Sequence, residues 1–201
     1  MDEWHADLPP GLAEELRRRH AEPQRAYHDW THIAALLGWH AERAGHLHDR
    51  LAVRLAILFH DAVYDPRAKD NEEQSALLLD AAMAGHCDPA SLARAARMIR
   101  ATAGHQLPAG LDPADQADAA EFVDMDLAIL SAAAVHFDRY EAQVRAEYAH
   151  VPDHLFAAGR AAILASFLAR PVLYFSAWGR ERFEAAARAN LARSIARLRG
   201  G

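Results

Sequence analysis

Residues 56–66 read AILFHDAVYDP, an apolar run that leads into a histidine and an aspartate and then stops at a proline. The apolar run predicts a buried helix with His60 and Asp61 at its carboxyl end. Imidazole and carboxylate are both metal-ligand types, and both cost free energy when they are buried without a partner. The pair therefore indicates either a polar helix end or one side of a metal site.

The composition limits the classes of protein to which the chain can belong. Its 201 residues fit one domain, and 52% hydrophobic with 25% charged residues is ordinary for a globular protein. The net charge of −6 gives no general attraction to nucleic acid, so we expect no nucleic-acid partner. The single cysteine, Cys87, excludes an internal disulfide and a cysteine-rich zinc site and suits the cytoplasm. We expect no membrane partner and no signal peptide, because no apolar run is long enough to span a bilayer and the opening MDEWHADLPPG is acidic.

Apolar residues recur at three- and four-residue spacing along nearly the whole chain, and no segment alternates as a strand does. Asp70 with Glu73 predicts a capping box, and Asp88 followed by Pro89 predicts a capped helix start. Helices are expected over residues 12–20, 28–44, 49–62, 71–85, 89–103, 117–135, 137–149, 153–168 and 180–198. We therefore predict an all-α protein with a single domain over residues 1–201.

The second predicted helix places His28 and His32 four residues apart, on one face. His60 and Asp61 follow on the third helix, about 100° apart around its axis, so both can reach one cation beside it. An isolated histidine pair on a helix is usually a surface feature. The two helices together make a metal site a reasonable alternative.

Two further carboxylates, Asp124 and Asp126, lie in the string VDMDL. Apolar residues flank both, so at least one faces the interior and needs a partner there. A buried salt bridge is one such partner and a metal ion is another. Two imidazoles and two carboxylates from three helices suit Mn²⁺, Fe²⁺, Co²⁺ or Zn²⁺ with positions left open, whereas Mg²⁺ prefers fewer imidazoles.

These strings, in order, resemble the HD-domain superfamily of metal-dependent phosphohydrolases, and most closely a bacterial branch of predicted HD hydrolases. The resemblance extends over residues 25–191 through RAYHDWTHI, LAILFHDAVYDP, DNEEQSA, IRATAGH, DMDLAIL, VRAEYAHVP and ARANL. It implies an HD-type helical bundle with a metal-binding core at about 25–135 and extra C-terminal helices at about 136–199. It also implies that the metal ligands are His32, His60, Asp61 and Asp126. Asp124 is the alternative to Asp126.

The implied reaction is hydrolysis of a phosphoester or phosphoanhydride, with a nucleotide or another small phosphorylated metabolite as substrate. HD enzymes that hydrolyse guanosine tetraphosphate-type nucleotides carry a Glu-Asp pair where this chain has Tyr64-Asp65, so that specific activity is not expected. The cofactor is a divalent ion: Mn, Fe, Co, Zn or Mg. Two alternatives remain open, a non-catalytic metal- or ligand-binding regulatory module and a di-iron HD-type oxygenase. The apolar C-terminal helices are compatible with a homodimer.

Six residues around the ligands are candidates for catalysis or substrate binding. Asp65 or Glu72 is expected to orient the attacking water, and His105 to act as a fifth ligand or as proton donor to the leaving group. Residues that would contact the phosphorylated substrate are Arg25, His28 and Lys69. Turn, cap or surface roles are the structural alternatives for these six.

The remaining polar residues are expected to be structural. Glu141 and Arg145 are spaced for an i,i+4 salt bridge. The other histidines are expected at the surface or at helix caps: His5, His20, His40, His46, His48, His86, His136, His150 and His154.

Overall fold

The computed structural model describes residues 4–200, and within them every regular element is helical, which confirms the all-α prediction. Residues 1–3, which begin the segment MDEWHADLPPG, and residue 201 lie outside this description, so the ends of the predicted domain are not described. No helix in the described part of the chain combines the length and apolarity that crossing a bilayer requires. The chain divides into two compact units, the first ending at Met125 and the second beginning at Asp126.

The first unit is built around a helix that is buried along almost its whole length. Its helices are α1 (Leu12–Arg19), α2 (Trp30–Arg43), α3 (Arg50–Phe59), α4 (Asn71–Met83), α5 (Pro89–Ala101) and α6 (Pro113–Asp126). Helix α3 packs against α2, α4 and α5 and buries Ala52, Val53, Leu55, Ala56, Ile57, Leu58 and Phe59.

Two aspartates fix the start of α3. The side chain of Asp49 accepts a hydrogen bond from the backbone N–H of Ala52 at 2.9 Å, as an N-cap does. Asp118 of α6 accepts the backbone N–H groups of His48 and Asp49 at 2.9 and 2.6 Å. The position of α3, and of the His60-Asp61 pair at its far end, is therefore set by partners inside the protein.

The predicted start of α2 is wrong by two residues. Asp29 is the N-cap, because its side chain accepts the backbone N–H of Thr31 at 2.7 Å. His28 therefore precedes the helix and does not share a helical face with His32.

The capping box predicted for α4 is also wrong. Asp70 makes no side-chain cap hydrogen bond and instead accepts from Gln74 Nε2 at 3.0 Å. Glu73 pairs with Arg100 of α5 at 2.6 Å, because α4 and α5 pack together and bring the guanidinium close. The predicted start of α5 is confirmed, since Asp88 accepts the backbone N–H of Ser91 at 3.1 Å.

The second unit contains a 3₁₀ turn (Leu127–Ser131) and the helices α7 (Ala134–Glu147), α8 (Asp153–Leu168) and α9 (Ala177–Gly200). The long helical region predicted over residues 117–135 is divided in the structure, because α6 ends at Asp126 and the 3₁₀ turn separates it from α7. Asn190 of α9 donates to the carbonyl oxygens of Leu130 and Ala132 at 2.9 and 2.8 Å, and Tyr174 donates to that of Leu127 at 2.9 Å. These donors stabilise the tighter turn by taking carbonyl groups out of a helical ladder.

The predicted Glu141–Arg145 salt bridge is not formed. Glu141 accepts from Arg160 of α8 at 2.5 Å and from the Ser194 hydroxyl of α9 at 2.9 Å. Arg145 binds Asp153 instead, at 2.6 Å. The buried pair Arg160–Glu141, whose side chains are 11% and 9% exposed, therefore connects the three helices of this unit.

Two of the histidines expected at the surface or at helix caps are buried, and one of them, His20, is the C-cap of α1 while the other, His40, lies within α2. His40 Nε2 lies 3.0 Å from the carbonyl oxygen of Arg50, and His20 Nδ1 lies 2.9 Å from that of Leu16. His20 is 1% exposed, its ring meets the edge of Trp30, and among the described residues its Nε2 has no hydrogen-bond partner.

Burial is the main cause that lowers the pKa of His20 from 6.5 to about 4. The Leu16 carbonyl and the Asp61 charge raise this pKa, while Arg25 and His60 lower it further. His20 is therefore neutral in the folded protein at neutral pH.

We predict that His20 makes the fold acid-sensitive. Unfolded chains protonate His20 below its ordinary pKa of 6.5 and the folded protein does not, so stability is full above 6.5 and is lost as the pH falls toward 4. The loss amounts to about 3 kcal/mol. Denaturant unfolding of wild type and His20→Phe between pH 7 and 4 measures it, and parallel pH dependences in the two proteins would contradict the assignment.

A second prediction concerns the buried pair of the second unit. Arg160→Met leaves the Glu141 carboxylate buried without its cation, which is expected to cost about 3–5 kcal/mol of unfolding free energy. The matched control is Arg193→Met, because Arg193 and Asp138 form an ion pair in which both side chains are 41% exposed. Such an exposed pair contributes at most about 1 kcal/mol. Chemical denaturation should separate the two variants clearly, and equal losses would disprove the structural role.

Candidate metal centre

Three predicted ligands meet at the carboxyl end of α3. His60 is the C-cap of that helix, Asp61 follows it in a turn, and His32 lies in the first turns of α2. His60 Nε2 is 3.0 Å from Asp61 Oδ2 and 3.1 Å from His32 Nε2, and His32 Nε2 is 3.7 Å from Asp61 Oδ2. Ligand atoms from these three residues all lie within 4.8 Å of one another, close enough to share one ion.

The outer nitrogens of both imidazoles have partners that orient the rings. His60 Nδ1 lies 3.0 Å from the carbonyl oxygen of Ile57, which can only accept, so Nδ1 carries the hydrogen. His32 Nδ1 lies 3.1 Å from the Tyr27 hydroxyl, which can accept in the same way. The assignment of this hydrogen rests on the hydrogen-bond partner, and it leaves His60 Nε2 as the ring atom that faces Asp61.

The Asp61 carboxylate is ionised at neutral pH. Burial on its own raises the pKa of Asp61, but His60, His28 and His32 together outweigh that effect and hold this pKa far below its usual range. The side chain remains 18% exposed, so solvent reaches it from one side. The centre therefore combines a charged oxygen with imidazole nitrogens at a place that a small molecule can approach.

Contacts from three other segments hold the turn after Asp61. Ser75 of α4 accepts the backbone N–H of Val63 at 3.0 Å and donates to its carbonyl oxygen at 3.3 Å. Gln24 Nε2 donates to the carbonyl oxygen of Tyr64 at 3.1 Å, and the ring of Phe122 packs edge-on against His60 at 5.9 Å. The ligand pair thus has a fixed backbone.

Two predicted substrate-binding residues lie beside the three ligands. The His28 ring stacks on Tyr64 with centroids 4.3 Å apart and lies 6.3 Å from the His32 ring. The side chain of Arg25 is fully buried, and its guanidinium donates to backbone carbonyl oxygens of His28, Asp61 and Ala62. Their predicted contact with substrate stays a prediction.

The other predicted residues of the site lie outside the three-ligand group. Asp65 is exposed in a turn, where Asn71 accepts its backbone N–H at 3.0 Å and its own carboxylate accepts from Arg67 N at 2.9 Å. Glu72 is half-exposed in the first turn of α4, and Lys69 is exposed just before it. His105 is half-exposed in the loop after α5 with a φ of +46°.

Asp124 and Asp126 differ in burial and in their place along α6. Asp124 is fully buried within the first unit, whereas Asp126 is half-buried and is the first residue of the second unit. Neither belongs to the three-residue group of potential ligands found among the described residues. The identity of a fourth ligand stays a prediction.

Sequence reasoning missed Tyr27 as the partner of His32. The feature of the sequence that could have identified Tyr27 is its position in RAYHDWTHI, five residues before His32 and in the short connection that leads into α2. A ligand's outer nitrogen needs an acceptor, and a neighbouring hydroxyl in the same segment is an obvious candidate.

No known protein family, curated protein or solved structure matches this chain. The HD resemblance therefore remains a prediction that rests on the quoted strings.

We predict that Mn²⁺ or Co²⁺ stabilises the folded protein through the three ligands. At an ion concentration about 100 times Kd, the gain in unfolding free energy should be about 2.7 kcal/mol. Thermal unfolding with and without the ion measures the gain, which His60→Ala should abolish. His86→Ala, which removes an exposed histidine elsewhere, should keep it. An unchanged gain in His60→Ala would exclude this site.

Proposed function

We propose that this protein is a metal-dependent phosphohydrolase whose ion is held by His32, His60 and Asp61. The observation that supports the proposal is the convergence of three ligand atoms within 4.8 Å. Its reaction class comes from the resemblance of the quoted strings to HD hydrolases.

The chemistry of the donors fits a divalent ion of borderline hardness such as Mn²⁺, Fe²⁺, Co²⁺ or Zn²⁺. Three protein ligands leave positions for water and substrate, and Asp126 is the proposed fourth ligand, with Asp124 as the alternative. When bound, such an ion supplies Lewis acidity toward a phosphoryl oxygen and lowers the pKa of a coordinated water.

The protein's own residues would supply orientation and proton transfer. Tyr27 and the Ile57 carbonyl contact Nδ1 of the two imidazoles, so each ring would use Nε2 to bind an ion. Asp65 and Glu72 are the proposed groups that orient the attacking water, and His105 is the proposed proton donor to the leaving group. Lys69, exposed at the start of α4, is the proposed phosphate contact.

The proposed substrate is a small phosphorylated metabolite or nucleotide in the cytoplasm. The ring of Tyr64 is stacked on His28 and lies over the Arg25 guanidinium at 5.4 Å. Tyr64 therefore packs against neighbouring side chains. Because HD hydrolases of guanosine tetraphosphate-type nucleotides carry a glutamate at this position, the tyrosine argues against that substrate class.

Phosphate release from generic phosphoesters and from nucleotides, measured with added Mn²⁺ or Co²⁺, tests the proposal. We expect turnover by wild type and a loss of at least about 10²-fold in kcat/KM for Asp61→Ala, because a second-sphere change alone costs metalloenzymes about 10–100-fold. Asp65→Asn and Glu72→Gln should differ in kcat. Only the variant that removes the water-orienting carboxylate should show a kcat lower by about 10²–10⁴-fold.

The matched control is Asp112→Ala, an exposed aspartate before α6. Equal activity of wild type and Asp61→Ala would remove the hydrolase proposal. Stoichiometric metal binding without turnover of any phosphorylated compound would favour the regulatory module, and two irons per chain would favour the oxygenase.

A further inference from the structure

Arg25 lies against the turn that carries Asp61, with its side chain fully buried. We infer that Arg25 is a positioning residue that holds Asp61 in its ligand geometry, an inference that rests on the proposed function. Its Nη1 donates to the carbonyl oxygen of Asp61 at 2.7 Å, and its Nη2 lies 3.4 Å from that of Ala62. These carbonyl groups follow the C-cap of α3 and have no place in the helical ladder.

The same guanidinium connects both ligand-bearing segments. Nη1 also donates to the carbonyl oxygen of His28 at 2.9 Å, and this residue immediately precedes the N-cap of α2. One nitrogen therefore joins the entry to the helix of His32 with the peptide unit of Asp61. Glu22 accepts from Nε at 3.3 Å, which balances the buried positive charge.

Fixing these carbonyl groups fixes the peptide units on the C-terminal side of Asp61. Together with the helix end on its N-terminal side, they hold the backbone from which the Asp61 side chain projects. Groups that support a ligand in this way usually change metal affinity about 10–100-fold when they are altered. Arginine suits the task because its planar fork reaches several acceptors at once, whereas lysine presents a single point of charge.

Three possible roles of Arg25 predict different signs for metal affinity. A cation close to an ion site repels the ion, so electrostatics alone predicts tighter metal binding in Arg25→Met and no change in Arg25→Lys. A phosphate contact predicts unchanged metal affinity without substrate and a raised KM. A positioning role predicts weaker metal binding in both variants with no substrate present.

The experiment measures Mn²⁺ affinity by calorimetry and the visible spectrum of bound Co²⁺, both without phosphate. We expect a Kd raised about 10–100-fold and a changed Co²⁺ spectrum in Arg25→Lys and Arg25→Met. Arg67→Met is the control, because it removes an exposed positive charge from the loop that follows Asp61. Circular dichroism verifies folding. If Arg25→Met does not fold, the test rests on Arg25→Lys, which keeps the positive charge and the aliphatic part of the side chain.

Wild-type affinity and spectrum in a folded Arg25→Lys would overturn the inference, as would tighter binding in Arg25→Met. An equal loss in Arg67→Met would overturn it too, because it would indicate a general charge effect. If wild type itself binds neither Mn²⁺ nor Co²⁺, the proposed function fails first. If wild type binds and the Arg25 variants bind equally well, only the positioning role fails.

Discussion

The carboxyl end of α3 lies inside the first unit, and every polar group there needs a partner that is also inside. Because α2, α4 and α5 pack around the helix, protein partners satisfy the buried groups there, and solvent reaches the Asp61 carboxylate from one side only. Arg25 donates to the carbonyl oxygens that follow the cap, and His60 Nδ1 contacts the carbonyl oxygen of Ile57. The Ser75 hydroxyl accepts the backbone N–H of Val63. The hydrogen bonds that satisfy the polar groups of the helix end therefore also position the backbone of His60 and Asp61, so folding of this helix end assembles the candidate site.

Arginine side chains also satisfy the carboxyl ends of two helices in the second unit. Arg188 donates to the carbonyl oxygens of Leu168 and Arg170 at 3.0 and 2.8 Å after α8, and Arg145 to that of Val151 at 2.9 Å after α7. A forked, always charged donor can reach several carbonyl groups that diverge from a helix axis. Arg25 performs this task at α3, and there the helix end carries the candidate ligands.

The sequence predicted the all-α fold, because helical periodicity is a local feature, and three of its candidate ligand residues lie close together in the structure. Side-chain partners were predicted poorly. Glu73 and Glu141 each had a suitable local partner, yet both pair with a distant arginine. An i,i+4 pair contributes only about 0.2–0.5 kcal/mol, whereas a carboxylate buried without a cation costs several times more. Helix packing therefore decides the partner of a buried carboxylate, and a single sequence does not contain that information.

The centre is a costly arrangement for a protein that needs only a scaffold. The Ile57 carbonyl accepts from His60 Nδ1, so His60 Nε2 is the ring atom that faces the ionised carboxylate oxygen of Asp61, 3.0 Å away. His32 Nε2 lies 3.1 Å from the same nitrogen, so three polar atoms lie together and each needs a partner. Apolar side chains of similar size would fill this space at a lower free energy. Hydrogen bonds among the three side chains can satisfy these atoms, and so can a cation shared by all three, which is the arrangement that the proposed function requires.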